Sequence, residues 1–166
     1  MAAERKRGFP PVVDENTRLL ILGSLPGEAS LAAGQYYGNP RNAFWRLMEM
    51  VLGEALVSLP YDQRLATLLN HGVGLWDVVA EAERRGSLDA AILNPAANDL
   101  LTLVGTLPAL RAVAFNGGTA AKLGKRLLAP VADRLTLIAL PSSSPAHAAQ
   151  RLADKALAWG GLKARL

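Results

Sequence analysis

Flat aromatic rings and amide side chains are concentrated in one ten-residue segment of the chain, residues 36–45. Its chemically useful members are Tyr36, Tyr37, Asn39, Arg41, Asn42, Phe44 and Trp45. Aromatic faces can stack on heterocyclic rings, and amides both donate and accept hydrogen bonds at a ring edge. A protein needs residues of these types to hold a nucleobase that has been extruded from its helix.

The elements on either side of this segment place it where a binding site is expected. The apolar run at residues 19–22 lies in a first strand predicted over 18–23, and a Gly-Ser-Leu-Pro-Gly turn follows at 23–27. A helix is predicted over 40–52, because Asn39 is a good N-cap and Pro40 suits the first helical turn. Ligands of α/β folds bind at the carboxyl ends of strands.

Two more polar loops follow predicted strands, at residues 116–119 and 141–147. If the sheet is parallel, the carboxyl ends of its strands meet at one edge, and both loops then join the loop over 23–42 there. The sequence therefore predicts a single site built from three loops.

The serine-rich loop at 141–147 has two interpretations. Serine hydroxyls and free backbone N–H groups at a helix N-terminus can hold a phosphate, with Ser142 and Ser143 as the contacts. Alternatively, Ser144 caps the following helix with Pro145 at its first position, which leaves Ser142 and Ser143 unexplained. His147 could donate to a base or a phosphate, or lie on the surface without a role.

The tyrosines and amides also have structural alternatives. Tyr37 can stack on a base, and Gly34 and Gly38 give its loop freedom, but both tyrosines could instead pack over the loop. Asn42 is either a functional amide or a second capping group. Asn116 opens a Gly-Gly turn that lacks the spacing of a nucleoside triphosphatase loop, so a tight turn closed by its own side chain is favoured.

Strands alternate with helices along the chain, and the strands are continuous apolar runs, which is typical of strands covered on both faces. We therefore predict a three-layer α/β/α sandwich with a central, mostly parallel four-stranded sheet. One domain spans residues 1–166, and residues 1–17 form a loose N-terminal arm. Beyond the first strand and helix, the predicted strands are 72–79, 90–93, 111–115 and 135–140, and the predicted helices are 62–70, 80–85, 100–107, 119–128 and 146–159.

Composition excludes several classes of protein. The chain has no cysteine, which rules out disulfides and thiolate metal sites, and its two histidines lack the spacing of a metal motif. No apolar stretch reaches the roughly 18 residues of a membrane span, and no apolar core follows the basic N-terminus as in a secretory signal. We expect a cytoplasmic protein without metal, cofactor or membrane partner.

Positive charge is concentrated in the last quarter of the chain. The net charge of the whole chain is +4, but residues 122–166 carry eight basic side chains against two acidic ones. This imbalance suits a polyanionic partner and equally suits a solvated helix face.

These motifs resemble those of the uracil-DNA glycosylase superfamily, and most closely its hypoxanthine-DNA glycosylase branch. The resemblance is carried by residues 23–27, 36–45 and 140–147, with support from 74–78 and 115–117. It implies an α/β/α fold, damaged DNA as the partner of a monomeric enzyme, and hydrolysis of the bond between a deaminated base and its sugar. No metal or cofactor is implied.

The resemblance also implies roles for individual residues. In the hypoxanthine branch an asparagine after the tyrosines is the catalytic amide, which corresponds to Asn42, with Asn39 as a second candidate. Mismatch-specific uracil relatives orient water with an asparagine where this chain has Leu25, whose alkyl group cannot do so. Tyr37 is expected to stack on the base, and backbone groups of Gly23 and Ser24 are expected to read its edge. Ser142, Ser143 and His147 are expected to hold flanking phosphates or to press into the minor groove.

Other functions remain compatible with these residues. The enzyme could prefer uracil or xanthine, as a uracil- or mismatch-specific glycosylase of the same fold, or the protein could bind damaged DNA without turnover. A hydrolase of free nucleotides is a third alternative. No lysine lies in the motifs, so a covalent Schiff-base step with strand cleavage is not expected.

Overall fold

The structure is a computed structural model that describes residues 4–145 and 151–166. Its strands and helices alternate along most of the chain. The strands are β1 (Arg5–Arg7), β2 (Leu19–Gly23), β3 (Val73–Asp77), β4 (Val79–Glu83), β5 (Leu93–Ala97), β6 (Ala112–Asn116) and β7 (Thr136–Leu140). The helices are α1 (Glu28–Ala33), α2 (Phe44–Leu52), α3 (Tyr61–Asn70), α4 (Leu100–Gly105), α5 (Gly118–Leu127) and α6 (Leu152–Gly160).

A four-stranded parallel sheet in the order β3-β2-β6-β7 forms the centre of the molecule. All residues of β2 and β6 are buried, because apolar clusters cover both faces of the sheet. Side chains of α2 and α6 pack on one face, and side chains of α4 and α5 pack on the other. The three-layer arrangement predicted from the sequence is therefore present.

A second sheet, antiparallel and in the order β1-β4-β5, is separate from the central sheet and is absent from the fold predicted above. The segment predicted as a helix over 80–85 forms most of β4 instead. Its alanines and glutamates favour a helix locally, but alternate glutamates pair with cations of β1 across the ladder. Arg5 and Arg7 both reach Glu81, at 3.3 and 2.8 Å.

The described part of the N-terminal arm, residues 4–17, is not loose. β1 pairs with β4, and Val12 forms a bridge with Leu75 of β3. The backbone oxygens of Phe9 and Pro10 accept hydrogen bonds from the Trp76 indole, at 3.0 Å, and from the Tyr36 hydroxyl, at 2.9 Å. These contacts tie the arm to the sheet and to the aromatic segment.

The aromatic segment enters its helix later than predicted. The side-chain oxygen of Asn39 accepts a hydrogen bond from the N–H of Arg41, and that of Asn42 accepts one from the N–H of Phe44, both at 2.9 Å. Such turns compete with helix formation, so α2 starts at Phe44 rather than near residue 40. The N-cap of α2 is Ala43, so neither Asn39 nor Asn42 caps the helix, and the Asn42 side chain closes a turn just before it. The start predicted for the last helix, at residues 146–150, lies outside the described residues.

We expect that Gly124→Ala destabilises the protein although alanine favours helices. A methyl group there would meet the Phe115 ring of β6, with 2.7 Å to Cδ1. Overpacking of this kind costs about 1–3 kcal/mol, more than the roughly 1 kcal/mol gained in helix propensity. Urea unfolding measures the difference.

The matched control for this substitution is Gly105→Ala at the end of α4, where nothing lies within 4 Å of the added carbon. Its free energy of unfolding should stay unchanged or rise. Equal effects of the two substitutions would contradict close packing of α5 on β6.

Candidate active site

A pocket of about 460 Å³ opens at the carboxyl edge of the central sheet. Loops after β2, β6 and β7 line it, as the sequence predicts, together with the end of β3 and residues 87–90. Seven of the eight predicted site residues contribute to this one pocket: Gly23, Ser24, Tyr37, Asn39, Asn42, Ser142 and Ser143. The eighth, His147, lies outside the described residues.

One buried hydrogen-bonded link joins three of the lining segments. The Asn116 amide nitrogen donates to the Ser143 hydroxyl at 2.8 Å, and the Ser143 N–H donates to the Asn116 amide oxygen at 2.9 Å. The Ser143 carbonyl then accepts from the N–H of Ala43 at 3.0 Å. Asn116 therefore connects strand β6 to the serine loop and to the start of α2. The prediction that its side chain closes its own turn is wrong.

The geometry of the serine loop separates Ser142 from Ser143. Ser143 is 1% exposed and its polar groups bond within the protein, so burial opposes its predicted contact with a DNA phosphate. Ser142 is half-buried, and its hydroxyl accepts from the Ser144 N–H at 3.1 Å. Helix α6 also holds the loop, because the Trp159 indole donates to the Pro141 carbonyl at 3.0 Å.

The turn after β2 is fixed by hydrogen bonds from the start of β4. The Gly23 and Ser24 carbonyls accept from the N–H groups of Val78 and Val79, at 2.8 and 3.0 Å. The Ser24 hydroxyl donates to Asp89 at 2.6 Å. Both carbonyls and the Ser24 hydroxyl therefore already have partners within the protein.

The Arg84 side chain stabilises the same turn by hydrogen bonds. Arg84 is 1% exposed, and its guanidinium donates to the Leu25 carbonyl at 3.3 Å and also to the Pro26 carbonyl. The Leu25 side chain is buried against Val79 and Ala82 of β4. The alkyl group that stands at this motif position thus belongs to an apolar cluster.

Tyr37 is held in an unusual conformation. Its φ of +54° lies in the left-handed region, and such strain is concentrated at functional sites. One ring face stacks on Phe44, with centroids 3.9 Å apart, and the side chain also lines the pocket. Its hydroxyl is buried without a hydrogen-bond partner. Burial, followed by the nearby Asp77, raises the pKa of this hydroxyl.

Sequence reasoning missed Asp77 as a site residue. It ends β3, directly beside Gly23 in the sheet register, and it is 4% exposed. Its Oδ2 is buried and has no hydrogen-bond partner. Burial, followed by the nearby Asp89, raises the pKa of this carboxyl to about 7, and Arg84 opposes the shift. The available signal was a carboxylate at the end of an apolar strand.

Asn39 and Asn42 both line the pocket, and both are half-buried. Each side-chain oxygen accepts one hydrogen bond in a local turn, so its second lone pair and the amide nitrogen are left for a substrate or a water molecule. The described residues contain no cluster of three or more side chains able to hold a metal ion. No helix within 4–145 and 151–166 has the length and apolarity to cross a membrane.

Comparison with known proteins defines the class to which this fold and pocket belong. Residues 10–163 match the model of the uracil DNA glycosylase superfamily, and the chain belongs to that superfamily. An NMR structure from Methanosarcina acetivorans, provisionally assigned as a uracil DNA glycosylase, superposes with a TM-score of 0.86. It is 41% identical, and the match covers 96% of this chain and 97% of that one. The family and fold expected from the motifs are confirmed.

Two similar proteins carry a more particular description. The hypoxanthine DNA glycosylase of Methanosarcina barkeri is 48% identical over 113 residues, which are 68% of this chain and 72% of that protein. The hypoxanthine DNA glycosylase of Methanosarcina acetivorans is 49% identical over 112 residues, covering 68% of this chain and 71% of the relative.

We expect Asn116→Ala to weaken both folding and activity. It removes two hydrogen bonds and leaves the buried N–H and hydroxyl of Ser143 without their partner, which costs about 1–3 kcal/mol. Thermal or urea unfolding measures the loss. Asn16→Ala, at an exposed position, is the control and should have little effect. Unchanged stability in Asn116→Ala would contradict the structural role of the link.

We expect Asp77→Asn to gain stability relative to the wild type as pH rises from about 4 to about 7. The folded pKa of about 7 lies above the unfolded value of about 3.9, so the folded state holds this proton longer. The Asp77 contribution to wild-type stability is therefore full at low pH and is lost as pH rises to about 7.

The stability difference between Asp77→Asn and the wild type should change by at most about 1.4 kcal/mol per pH unit within this window and stay constant above it. Urea unfolding at a series of pH values gives the two curves. Asp133→Asn, an exposed substitution of the same type, should follow the wild type. Parallel curves for Asp77→Asn and the wild type would contradict a buried, neutralised carboxyl.

Proposed function

We propose that this protein removes hypoxanthine from DNA by hydrolysing the N-glycosidic bond, leaving an abasic site. The observation that carries the proposal is the single pocket containing the aromatic and amide residues of the family motifs, in a chain nearly half identical to two hypoxanthine DNA glycosylases. Damaged DNA is the partner, and the enzyme acts as a monomer without metal or cofactor.

The pocket supports binding of one extruded base. Its volume of about 460 Å³ is within the range of roughly 300–1,000 Å³ found for small-molecule sites. Phe44 covers one face of Tyr37, so the other face is the surface on which a flipped base stacks. Flipping costs a few kcal/mol and is least costly for a mispaired, deaminated base.

The hydrolytic step requires a water molecule beneath the sugar C1′. The bond loosens towards an oxocarbenium-like sugar, as in other glycosyl transfers. Asn42 orients the attacking water and stabilises developing charge; as an amide it cannot act as a strong base. Two features of its surroundings support this role. The local turn fixes the orientation of the amide and leaves one lone pair of its oxygen for the water, and the Ser143 carbonyl accepts a hydrogen bond from the N–H of the next residue, Ala43.

Uracil is the second candidate base, because the similar NMR structure is assigned provisionally as a uracil DNA glycosylase. The buried Leu25 argues against the water-orienting role that an asparagine has at this motif position in uracil-specific relatives. No lysine is present among the described pocket-lining residues, so we propose hydrolysis without a Schiff base or strand cleavage.

The test uses duplex oligonucleotides, each with one hypoxanthine, uracil or xanthine, incubated with the protein in EDTA and then cleaved with alkali at abasic sites. Hypoxanthine should be removed fastest. Asn42→Ala should lower its excision by about 100-fold or more, whereas DNA affinity stays within a few-fold.

Asn39→Ala is the matched comparison, since Asn39 occupies the same pocket and makes the same type of turn. It should retain more activity than Asn42→Ala. The reverse order would move the water-orienting role to Asn39. Tight binding without excision of any base would reject a glycosylase, and equal losses of binding and excision in Asn42→Ala would reject its catalytic role.

A further inference from the structure

Asp77 is a buried acid at the inner wall of the pocket, and the scheme above gives it no role. Its carboxyl lies over the glycine turn after β2: a Cβ added to Gly23 would stand 2.6 Å from Asp77 Oδ1. The other carboxyl oxygen, Oδ2, is buried and makes no hydrogen bond. Asp77 lines the pocket, and a buried polar atom without a partner costs free energy, so an unsatisfied carboxyl at this wall indicates a function that uses it.

We propose that Asp77 is the general acid of this site and protonates N7 of the departing hypoxanthine; this role depends on the proposed function. A flipped base enters the pocket ahead of its sugar, which stays near the mouth with the DNA backbone. Asp77 is 4% exposed at the end of β3, whereas Asn42 is half-buried before α2. The more deeply buried carboxyl of Asp77 therefore faces the base, and the more exposed amide of Asn42 faces the sugar.

The chemistry of the base suits a donor at this place. Like guanine, hypoxanthine presents N7 and O6 side by side as acceptors. Protonation of N7 draws electrons away from N9 and weakens the glycosidic bond. An ionised carboxylate would instead direct lone pairs at these acceptors, so the protonated form of Asp77 is the active one.

The step balances without another reactant. The C1′–N9 bond breaks with its electron pair going to the base, and the Asp77 proton goes to N7, so hypoxanthine leaves as a neutral tautomer. Water adds to C1′ and releases one proton. That proton restores the carboxyl, and the net reaction is hydrolysis.

The charged and titratable groups around Asp77 favour a carboxyl that holds its proton near neutrality. Asp89, in the turn after β4, raises its pKa, and Arg84, which follows β4, lowers it. Tyr36 and Tyr37 also interact with it electrostatically, and burial, followed by Asp77 itself, raises the pKa of both hydroxyls, so they stay neutral. Desolvation dominates and brings the pKa of Asp77 to about 7, where a general acid is effective.

The experiment measures single-turnover excision of hypoxanthine from duplex DNA between about pH 5.5 and 9. The wild-type rate constant should be level below pH 7 and fall about tenfold per pH unit above it, as the carboxyl ionises. Asp77→Asn keeps the shape of the side chain but has no acidic proton. It should be slower by roughly 100- to 10,000-fold and lose this alkaline decline.

A second substrate tests the atom that receives the proton. A duplex with 7-deazahypoxanthine has carbon in place of N7, so the wild type should cleave it about as slowly as Asp77→Asn cleaves hypoxanthine. Asp77→Asn should lose little further activity on this substrate. Asp133→Asn, an exposed control, should match the wild type on both substrates.

The outcomes separate this role from its alternatives. A rate that rises with pH through 7 would make Asp77 a general base acting on water and overturn the proposal. The proposal also fails if Asp77→Asn keeps the wild-type pH profile, or if 7-deazahypoxanthine leaves at the normal rate; neither result affects the proposed function. A wild type that excises no hypoxanthine overturns both.

Discussion

The pocket depends on the buried link between Asn116, Ser143 and Ala43. A parallel sheet brings the carboxyl ends of its strands to one edge, but it does not fix how their loops meet. Here the amide at the end of β6 satisfies both the N–H and the hydroxyl of Ser143, and the Ser143 carbonyl takes the N–H of Ala43. A rigid strand therefore positions the serine loop and the start of α2, and with them the amide that we propose orients water.

The rest of the fold supports groups that are unfavourable in isolation. Tyr37 has a left-handed backbone, and both its hydroxyl and one oxygen of Asp77 are buried without partners. Each of these features costs free energy. They persist because the apolar strands β2 and β6 and the braced turn around Arg84 hold the surrounding backbone. A polar pocket with unused hydrogen-bonding capacity is thus available to a ligand.

Sequence reasoning identified the parts of the fold that local pattern determines. The strands β2, β6 and β7 follow from continuous apolar runs, and the pocket follows from their shared edge. The small sheet was missed because the alanines and glutamates of β4 favour a helix locally, and pairing with β1 and β5 on its two sides overrides that preference. The late start of α2 depends on side-chain turns that compete with a helical first turn.

The site residues show the same division between local and non-local information. Tyr37 and the two asparagines before α2 were predicted because their types are unusual in so short a segment. The role of Asn116 is a pairing with a residue 27 positions away, which no local pattern specifies.

Asp77 is the clearest example of this limit. A single carboxylate after a strand is chemically unremarkable until the register places it beside Gly23, where there is no side chain to keep it from the pocket. Glycine at position 23 is therefore required by packing and not only by the turn. A Cβ there would occupy the space of the Asp77 carboxyl.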